Sequence, residues 1–267
     1  MSGELRVAVC GAAGRMGREV VRAVAEADGL TLVAAIDRSE IGRDVGEVVG
    51  IGPLGVAVAD DLRSALAAAR PEVMVDFTIP ASAMGNIQAA LEAGVSPVVG
   101  TTGLSPADVE QVRRWTGEAG VGALIAPNFA IGAVLMMQFA AQAAKYMPDA
   151  EIIELHHENK LDSPSGTAVM TAQKIVAARE TAPRPEPSGT VEKIPGGRGA
   201  VLEGVHIHSV RLPGYVAHQE VIFGGLGQTL TLRHDSMDRR SFMPGVILAV
   251  RKVRTLQGLT VGLEHLL

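Results

Sequence analysis

Short apolar runs alternate with longer stretches of helical periodicity through the first half of the chain. The run LRVAVC, Leu5–Cys10, is followed by a glycine-rich turn and then by a segment in which Val20, Val21 and Val24 recur at helical spacing. A second apolar run, TLVAAID, ends at Asp37. These patterns predict a strand, a turn, a helix and a second strand in that order.

The alternation continues to about residue 127. The predicted helices are 61–70, 81–94 and 105–120, and the predicted strands are 73–77, 96–100 and 121–127. Ser105 is predicted as the N-cap of the third of these helices, with Asp108 completing the cap. Strands that alternate with helices indicate a parallel sheet with right-handed crossovers. The strands are apolar at nearly every position, as expected of strands buried on both faces.

The pattern changes after Asn128. A long apolar helix (131–147), a strand (151–157) and a helix (166–180) are followed by a proline-rich loop, three closely spaced strand candidates (205–212, 217–224 and 228–234) and a last helix (241–255). Strands without intervening helices favour an antiparallel or mixed sheet. The sequence therefore predicts an α/β domain, 1–128, and a second α+β domain, 129–237, with a C-terminal helix in 238–267 that packs back onto the first domain.

Composition and charge narrow the function classes. The net charge of −5 is spread over interspersed acidic and basic residues, without the basic stripe of a nucleic-acid-binding protein. No apolar run reaches the roughly 20 residues of a membrane helix, and the start MSGELRVAVCG lacks the features of a signal peptide. The single cysteine, Cys10, cannot form an intrachain disulfide, and we interpret it as a buried, inert thiol. We expect a cytoplasmic protein.

The turn after the first strand carries the first candidate site. Gly11, Gly14 and Gly17 lie where a strand meets a helix, an arrangement that lets a backbone approach a pyrophosphate at a helix N-terminus. Asp37 follows at the end of the second strand, where a carboxylate can accept hydrogen bonds from a ribose. Arg38 suits a 2′-phosphate, or is a solvated surface arginine. The alternative for the glycines is a tight turn without a ligand. We predict binding of NADH, NADPH or both.

Two further strand ends are candidates for the same site. GTTG, Gly100–Gly103, and APNFA, Ala126–Ala130, end predicted parallel strands, and ligands bind at the carboxyl ends of such strands. Their small residues allow a close approach to nicotinamide and ribose. Each is also compatible with an ordinary loop.

The stretch ELHHENKLDSPSGTA, 154–168, carries the second candidate site. His156 suits general acid–base chemistry and Lys160 supplies a positive charge or a proton. Gly166 and Thr167 begin a predicted helix, whose N-terminus is suited to a carboxylate. His156 and His157 point to opposite faces of a strand, so we predict no metal site. The alternative is a structural histidine pair and a capped helix after a polar loop.

The run EIIELHHENKLDSPSGTA, Glu151–Ala168, resembles the signature of the dihydrodipicolinate reductase (4-hydroxy-tetrahydrodipicolinate reductase) family. The glycine turn, VDFT, GTTG, APNF and the run His208–Gly224 resemble the family in the same order. The resemblance implies a Rossmann-like first domain and reduction of a cyclic dicarboxylate by NADH or NADPH in diaminopimelate and lysine biosynthesis. It also implies a homotetramer formed through the second domain. The tail GLTVGLEHLL departs from the family's usual ending.

The resemblance also implies residue roles. His156 is implied as proton donor and acceptor, Lys160 as a second proton donor, and His157, Gly166 and Thr167 as ligands of substrate carboxylates. The residues implied to line the dinucleotide are Gly11, Ala12, Ala13, Gly14, Arg15, Met16, Asp37, Arg38, Gly100, Thr101, Thr102, Ala126, Pro127, Asn128 and Phe129.

Two other functions compete with the reductase. A non-catalytic dinucleotide sensor needs a DNA-binding element or a partner surface, and the sequence indicates neither. The second alternative function is that of another two-domain NAD(P)-dependent dehydrogenase, which acts on an aldehyde or an amino acid. An acylating aldehyde enzyme needs a cysteine in its second domain, whereas Cys10 lies in the first.

Overall fold

A computed structural model describes residues 4–267, and these form two compact units. The first comprises the residues up to Ile131 together with Phe242–Leu267, and the second comprises Gly132–Ser241. The sequence places the corresponding boundaries after residues 128 and 237. Residues 1–3 lie outside the described residues. They begin the N-terminal segment in which the sequence predicts no signal peptide.

The first unit is built on a seven-stranded parallel sheet. Its strands are β1 (Leu5–Cys10), β2 (Leu30–Ile36), β3 (Val58–Ala59), β4 (Val73–Asp76), β5 (Ser96–Val99), β6 (Ala123–Ile125) and β12 (Leu259–Val261). They lie in the order β12-β6-β5-β4-β1-β2-β3. The order runs outward in both directions from β1, so this is the doubly wound α/β fold that the sequence predicts.

Helices connect the strands and shield the sheet. They are α1 (Arg15–Glu26), α2 (Val45–Val49), α3 (Leu62–Ala69), α4 (Pro80–Glu92), α5 (Pro106–Ala119) and α8 (Met243–Lys252). The cap predicted for α5 is present, because Ser105 and Asp108 bond reciprocally to each other's backbone. Cys10 is free and buried, and burial, with the charges of Asp76 and Asp37, raises the pKa of its thiol well above the ordinary value.

The C-terminal segment contains a helix and a strand, whereas the sequence predicts only a helix there. Helix α8 packs against α1 and β5, but it ends at Lys252. The chain then forms β12, which pairs in parallel with β6 at the edge of the sheet. Gly258 and Gly262 flank β12 with positive φ angles of 67° and 102°, a conformation that a helix does not accept. The tail therefore completes the sheet.

The second unit holds a five-stranded mixed sheet. Its strands are β7 (Asp149–His156), β8 (Ala200–Leu202), β9 (Val205–Arg211), β10 (Ala217–Gly225) and β11 (Gln228–Ser236), in the order β11-β10-β7-β9-β8. β7 and β9 are parallel, and the other neighbours are antiparallel. The mixed sheet that the sequence predicts is therefore confirmed.

Helices α6 (Ile131–Ala144) and α7 (Gly166–Ala178) pack on one face of this sheet, the inner face. Ile152, Ile207, Val221 and Phe223 lie in this core at alternating strand positions. The residues between them form the outer face, which includes Ile153, Leu155, Val210 and Ile222, all partly exposed. The inner face also carries Glu154, a fully buried carboxylate.

Candidate active site

The glycine turn between β1 and α1 has a conformation that requires glycine. Gly11 has a φ of +78°, and a Cβ atom there would lie 2.8 Å from the carbonyl oxygen of Phe77. A Cβ on Gly17 would lie 1.9 Å from the carbonyl oxygen of Gly11. Gly14 is the N-cap of α1 and provides no side-chain hydrogen bond. The backbone N–H groups at the start of α1 can therefore bind an anion. The pyrophosphate of a dinucleotide is an anion of this kind.

Asp37 connects this turn to the end of β2. Its Oδ2 accepts a hydrogen bond from the backbone N–H of Ala13 at 2.9 Å, and its Oδ1 accepts from the Ser39 backbone at 3.0 Å and hydroxyl at 2.9 Å. Burial opposes ionisation of Asp37, but these hydrogen bonds outweigh it and lower the pKa of the carboxyl group. The charged carboxylate is therefore held in place beside the glycine turn.

A cavity of about 360 Å³ opens at this point. Gly11, Gly14, Asp37 and Arg38 line it together with Ser82 from α4. The Arg38 guanidinium lies 3.5 Å from the Ser82 hydroxyl oxygen, at the limit of a hydrogen bond. The structure therefore brings the two predicted selectivity residues, Asp37 and Arg38, to the wall of one cavity.

The GTTG loop follows β5 and is held by Asp76, a residue to which the sequence analysis gave no role. Asp76 is fully buried at the end of β4 and accepts hydrogen bonds from the hydroxyl groups of Thr101 at 2.7 Å and Thr78 at 2.8 Å. The amide of Asn86 donates to its other oxygen at 2.7 Å. The hydroxyl hydrogen of Thr101 thus points inward. The acidic end of an otherwise apolar strand is the sequence signal that identifies Asp76.

The APNF segment follows β6. Phe129 is buried, and its ring centroid lies 5.6 Å from that of Phe77. Asn128 Oδ1 accepts a hydrogen bond from the N–H of Ala130 at 2.9 Å. Ala126, like Ala12 in the glycine turn, is buried, so both side chains support the backbone.

The predicted dinucleotide-lining segments meet at one edge of the sheet. They follow β1, β2, β5 and β6 of the one parallel sheet, and the carboxyl ends of parallel strands lie on the same side. The exposed residues among them are Gly14, Arg15, Arg38, Thr102 and Pro127, and the partly exposed ones are Gly11, Ala13, Met16, Asp37, Gly100 and Asn128.

In the second unit, Glu154 and His156 lie on the same face of β7, two residues apart. The two side chains meet, with His156 Nδ1 2.5 Å from a carboxylate oxygen of Glu154. The Arg211 guanidinium approaches both oxygens of Glu154, at 2.7 and 2.8 Å. Burial of Glu154 raises its pKa, but the hydrogen bonds from His156 and Arg211 outweigh this effect and lower it from 4.5 to about 2.

Lys160 and Asp162 lie on the loop that follows β7. The Lys160 ammonium contacts a carboxylate oxygen of Asp162 at 2.7 Å. Asp162 therefore fixes the position of the Lys160 ammonium on this loop. His157 is the first residue after β7, partly exposed, and its carbonyl oxygen accepts from the Lys160 backbone N–H at 3.2 Å.

Helix α7 begins beside the same loop. Ser165 is its N-cap, and the Ser165 hydroxyl accepts from the Ala168 backbone N–H at 3.2 Å. The Ser165 N–H itself donates to Glu154 at 3.2 Å. Gly166 is exposed, with no atom within 4 Å of the position of a Cβ. The structure therefore places the start of α7, at Gly166 and Thr167, on the segment that also carries His156 and Lys160.

No three side chains of histidine, cysteine, aspartate or glutamate within residues 4–267 come together as a metal site requires. No helix in the same range combines the length and the apolar character of a membrane span.

A doubly wound parallel sheet followed by a unit with a mixed sheet is the architecture of a two-unit, dinucleotide-dependent oxidoreductase. The chain belongs to the dihydrodipicolinate reductase family. The family model described as "Dihydrodipicolinate reductase, N-terminus" matches residues 5–129, and that described as "Dihydrodipicolinate reductase, C-terminus" matches residues 132–267.

Curated relatives match the whole chain. The 4-hydroxy-tetrahydrodipicolinate reductase of Moorella thermoacetica is 53% identical over 267 residues, covering 100% of this chain and 99% of that protein. The enzyme of the same name from Desulfitobacterium hafniense is 53% identical over 265 residues, covering 99% of each chain.

The similarity extends to a solved structure. The dipicolinate-bound dihydrodipicolinate reductase from Paenisporosarcina sp. TG-14 is 43% identical with a TM-score of 0.88, covering 98% of this chain and 99% of that one. The relatives therefore share both units with this chain.

Proposed function

We propose that this protein reduces 4-hydroxy-tetrahydrodipicolinate to tetrahydrodipicolinate, with NADH or NADPH, in diaminopimelate and lysine biosynthesis. The observation that carries the proposal is the match of both family models in succession over 5–129 and 132–267. The name that the relatives carry supports the choice of substrate.

The first unit would bind the nucleotide. The glycine turn and the start of α1 would hold the pyrophosphate, and the loops after β5 and β6 would lie along the nicotinamide and its ribose. When bound, the nicotinamide supplies the hydride. Asp37 would accept hydrogen bonds from a ribose, whereas Arg38 would pair with a 2′-phosphate. Their presence on one cavity wall supports use of both nucleotides.

The second unit would hold the dicarboxylate. The N–H groups at the start of α7, from Gly166 and Thr167, would bind one carboxylate, and His157 would contribute to the binding of the substrate's carboxylates. Lys160 adds positive charge on the same segment. The relative whose structure contains dipicolinate, a planar dicarboxylate, supports this assignment.

The proton is the other requirement of the reaction. Loss of the 4-hydroxyl group as water gives the unsaturated ring. Hydride addition to that ring leaves a carbanion-like centre, which must be protonated by a positioned acid. His156 and Lys160 are the two groups we assign to this transfer. The Lys160 ammonium is held by Asp162 at 2.7 Å, and one His156 nitrogen is held by Glu154 at 2.5 Å.

We also propose a cytoplasmic homotetramer. The outer face of the second unit's sheet presents Ile153, Leu155, Val210 and Ile222 as partly exposed apolar side chains. Such a face is suited to self-association. The single buried cysteine is consistent with a reducing compartment.

The test is oxidation of reduced nucleotide by the purified protein. Its substrate is generated in the cuvette from pyruvate and aspartate semialdehyde by the preceding synthase, and NADH and NADPH are supplied separately. We expect turnover with both nucleotides, dependent on the synthase. Nucleotide binding without any turnover would contradict the proposal and would favour a dinucleotide sensor.

A further inference from the structure

Glu154 is a fully buried carboxylate that contacts His156, one of the two proposed proton donors. It lies on the inner face of β7 with no exposed surface, and it makes contacts in three directions. His156 Nδ1 lies at 2.5 Å, the Arg211 guanidinium approaches both oxygens, and the backbone N–H of Ser165 donates at 3.2 Å. A buried charge of this kind is costly unless it is fully bonded, and here its partners are the groups around the proposed site.

The short contact between Glu154 and His156 determines where the imidazole carries its proton. The carboxylate is charged and can only accept a hydrogen bond, so Nδ1 of His156 must be the donor. A neutral His156 is therefore the Nδ1–H tautomer, which leaves Nε2 as the atom that gains or loses a proton. A buried carboxylate that accepts from an imidazole in this way also fixes the orientation of the ring.

Arg211 extends the same network to Lys160. Its guanidinium holds Glu154 through two nitrogens, and it also donates to the carbonyl oxygen of Asp162 at 2.7 Å. Asp162 in turn contacts the Lys160 ammonium at 2.7 Å. The loop that carries Lys160 is thus anchored to the same ion pair that orients His156.

We infer that Glu154 and Arg211 are positioning residues for the proton transfer: Glu154 holds His156 with Nε2 available, and Arg211 fixes both Glu154 and the loop of Lys160. This inference rests on the proposed function. The start of α7 is joined to the pair through Ser165, so the carboxylate-binding segment and the proton donors share one buried anchor.

The test compares two substitutions on β7. Glu154→Gln keeps the size of the side chain but removes its charge. Glu151→Gln is the matched control, because Glu151 also contacts a histidine, His208 at 2.8 Å, and an arginine, Arg198 at 2.6 Å, on the outer face. We expect Glu154→Gln to lower kcat about 100-fold, the order of a misplaced catalytic group, with KM for the nucleotide unchanged. Light scattering verifies that Glu151→Gln keeps its assembly.

The comparison of turnover with nucleotide binding separates positioning from a general loss of structure. A misplaced imidazole slows the proton transfer and leaves the first unit unchanged, so the dissociation constant for reduced nucleotide should keep its wild-type value in both Glu154→Gln and Glu151→Gln. Arg211→Lys should also lower kcat, because one ammonium cannot bridge Glu154 and the Asp162 carbonyl. A wild-type kcat in Glu154→Gln would overturn the inference, as would an equal loss of kcat in the control Glu151→Gln.

A measurement on the unmodified protein covers the case in which Glu154→Gln does not fold. The ¹⁵N chemical shifts of the imidazole distinguish the tautomers, and the signal of His156 is assigned by its loss in His156→Gln. We expect neutral His156 with its proton on Nδ1. A proton on Nε2 would overturn the inference. This readout needs no turnover, so it stands apart from failure of the proposed reaction.

Discussion

The buried carboxylate of Glu154 and the exposed guanidinium of Arg38 illustrate what single residues contribute here. Arg38 is adjacent to Asp37 in the chain and could be placed at the cofactor cavity from the sequence alone. The sequence also predicts that Glu154 lies on a strand, but it does not indicate the role of this residue. Its partner Arg211 is 57 residues away, and only the parallel pairing of β7 with β9 brings the two together.

Arg38 provides a prediction about cofactor choice. Arg38→Ala should raise KM for NADPH about 10- to 100-fold, the loss expected for a charge-assisted hydrogen bond to a phosphate, and leave KM for NADH nearly unchanged. Steady-state kinetics with each nucleotide measures the ratio. An equal change for both nucleotides would show that Arg38 does not contact a 2′-phosphate.

Glu154 provides a prediction about acid stability. The pKa of Glu154 is lowered from 4.5 to about 2 in the folded protein, so its ionisation stabilises the fold above pH 4.5. That contribution, about 3 kcal/mol at 1.36 kcal/mol per pKa unit, is lost as the pH falls from 4.5 towards 2.

Urea unfolding at a series of pH values measures this contribution. The acid-induced loss of stability should be smaller in Glu154→Gln than in the wild type, because the glutamine cannot take up the proton. If the unfolding free energies of the two proteins fall equally with pH, Glu154 is not the group responsible for the acid-induced loss.

At the scale of elements, the long periodic segments were predictable and the short ones were not. The sequence predicted α5 together with its capping box, because Ser105 and Asp108 stand at cap spacing. It did not predict α2, β3 or β8, which span only 5, 2 and 3 residues. Segments of this length carry too few positions for a periodicity, and their structure depends on tertiary contacts.

The start of α1 allows a test of the glycine turn. A Cβ on Gly17 would lie 1.9 Å from the carbonyl oxygen of Gly11, so Gly17→Ala must displace the turn. We expect weaker nucleotide binding and a free energy of unfolding that is lowered by about 1–3 kcal/mol. Gly85→Ala in α4 is the control, because nothing lies within 4 Å of its Cβ position, and it should be neutral or stabilising. Calorimetric nucleotide titration that finds equal affinity in both variants would contradict the steric account.

At the scale of the whole molecule, the sequence predicted an α/β unit followed by a unit with a mixed sheet, and both are present. The tail was the part that the sequence described least well. Residues 259–261 lie beyond the predicted helix 241–255 and carry no predicted strand, but they add the strand β12 beside β6. Their partner strand is more than 130 residues earlier in the chain, and nothing in the local pattern identifies it.

The proposed assembly provides the prediction at this scale. Ile222→Glu places a charge on the outer face of the second unit's sheet and should dissociate the homotetramer. Ile41→Gln, at an exposed apolar residue of the first unit, should leave the assembly intact. Light scattering measures the mass of each variant, and a four-chain mass for Ile222→Glu would show that this face does not form the interface.

The central claim is that the first unit binds the nucleotide while His156 of the second unit serves the proton transfer. The most direct test measures kcat and the dissociation constant for reduced nucleotide in His156→Gln beside the wild type. We predict a kcat lowered by about 100-fold or more, in the range of general acid–base catalysis, with nucleotide affinity retained. Equal losses in turnover and in nucleotide binding, or turnover at the wild-type rate, would contradict this division of roles.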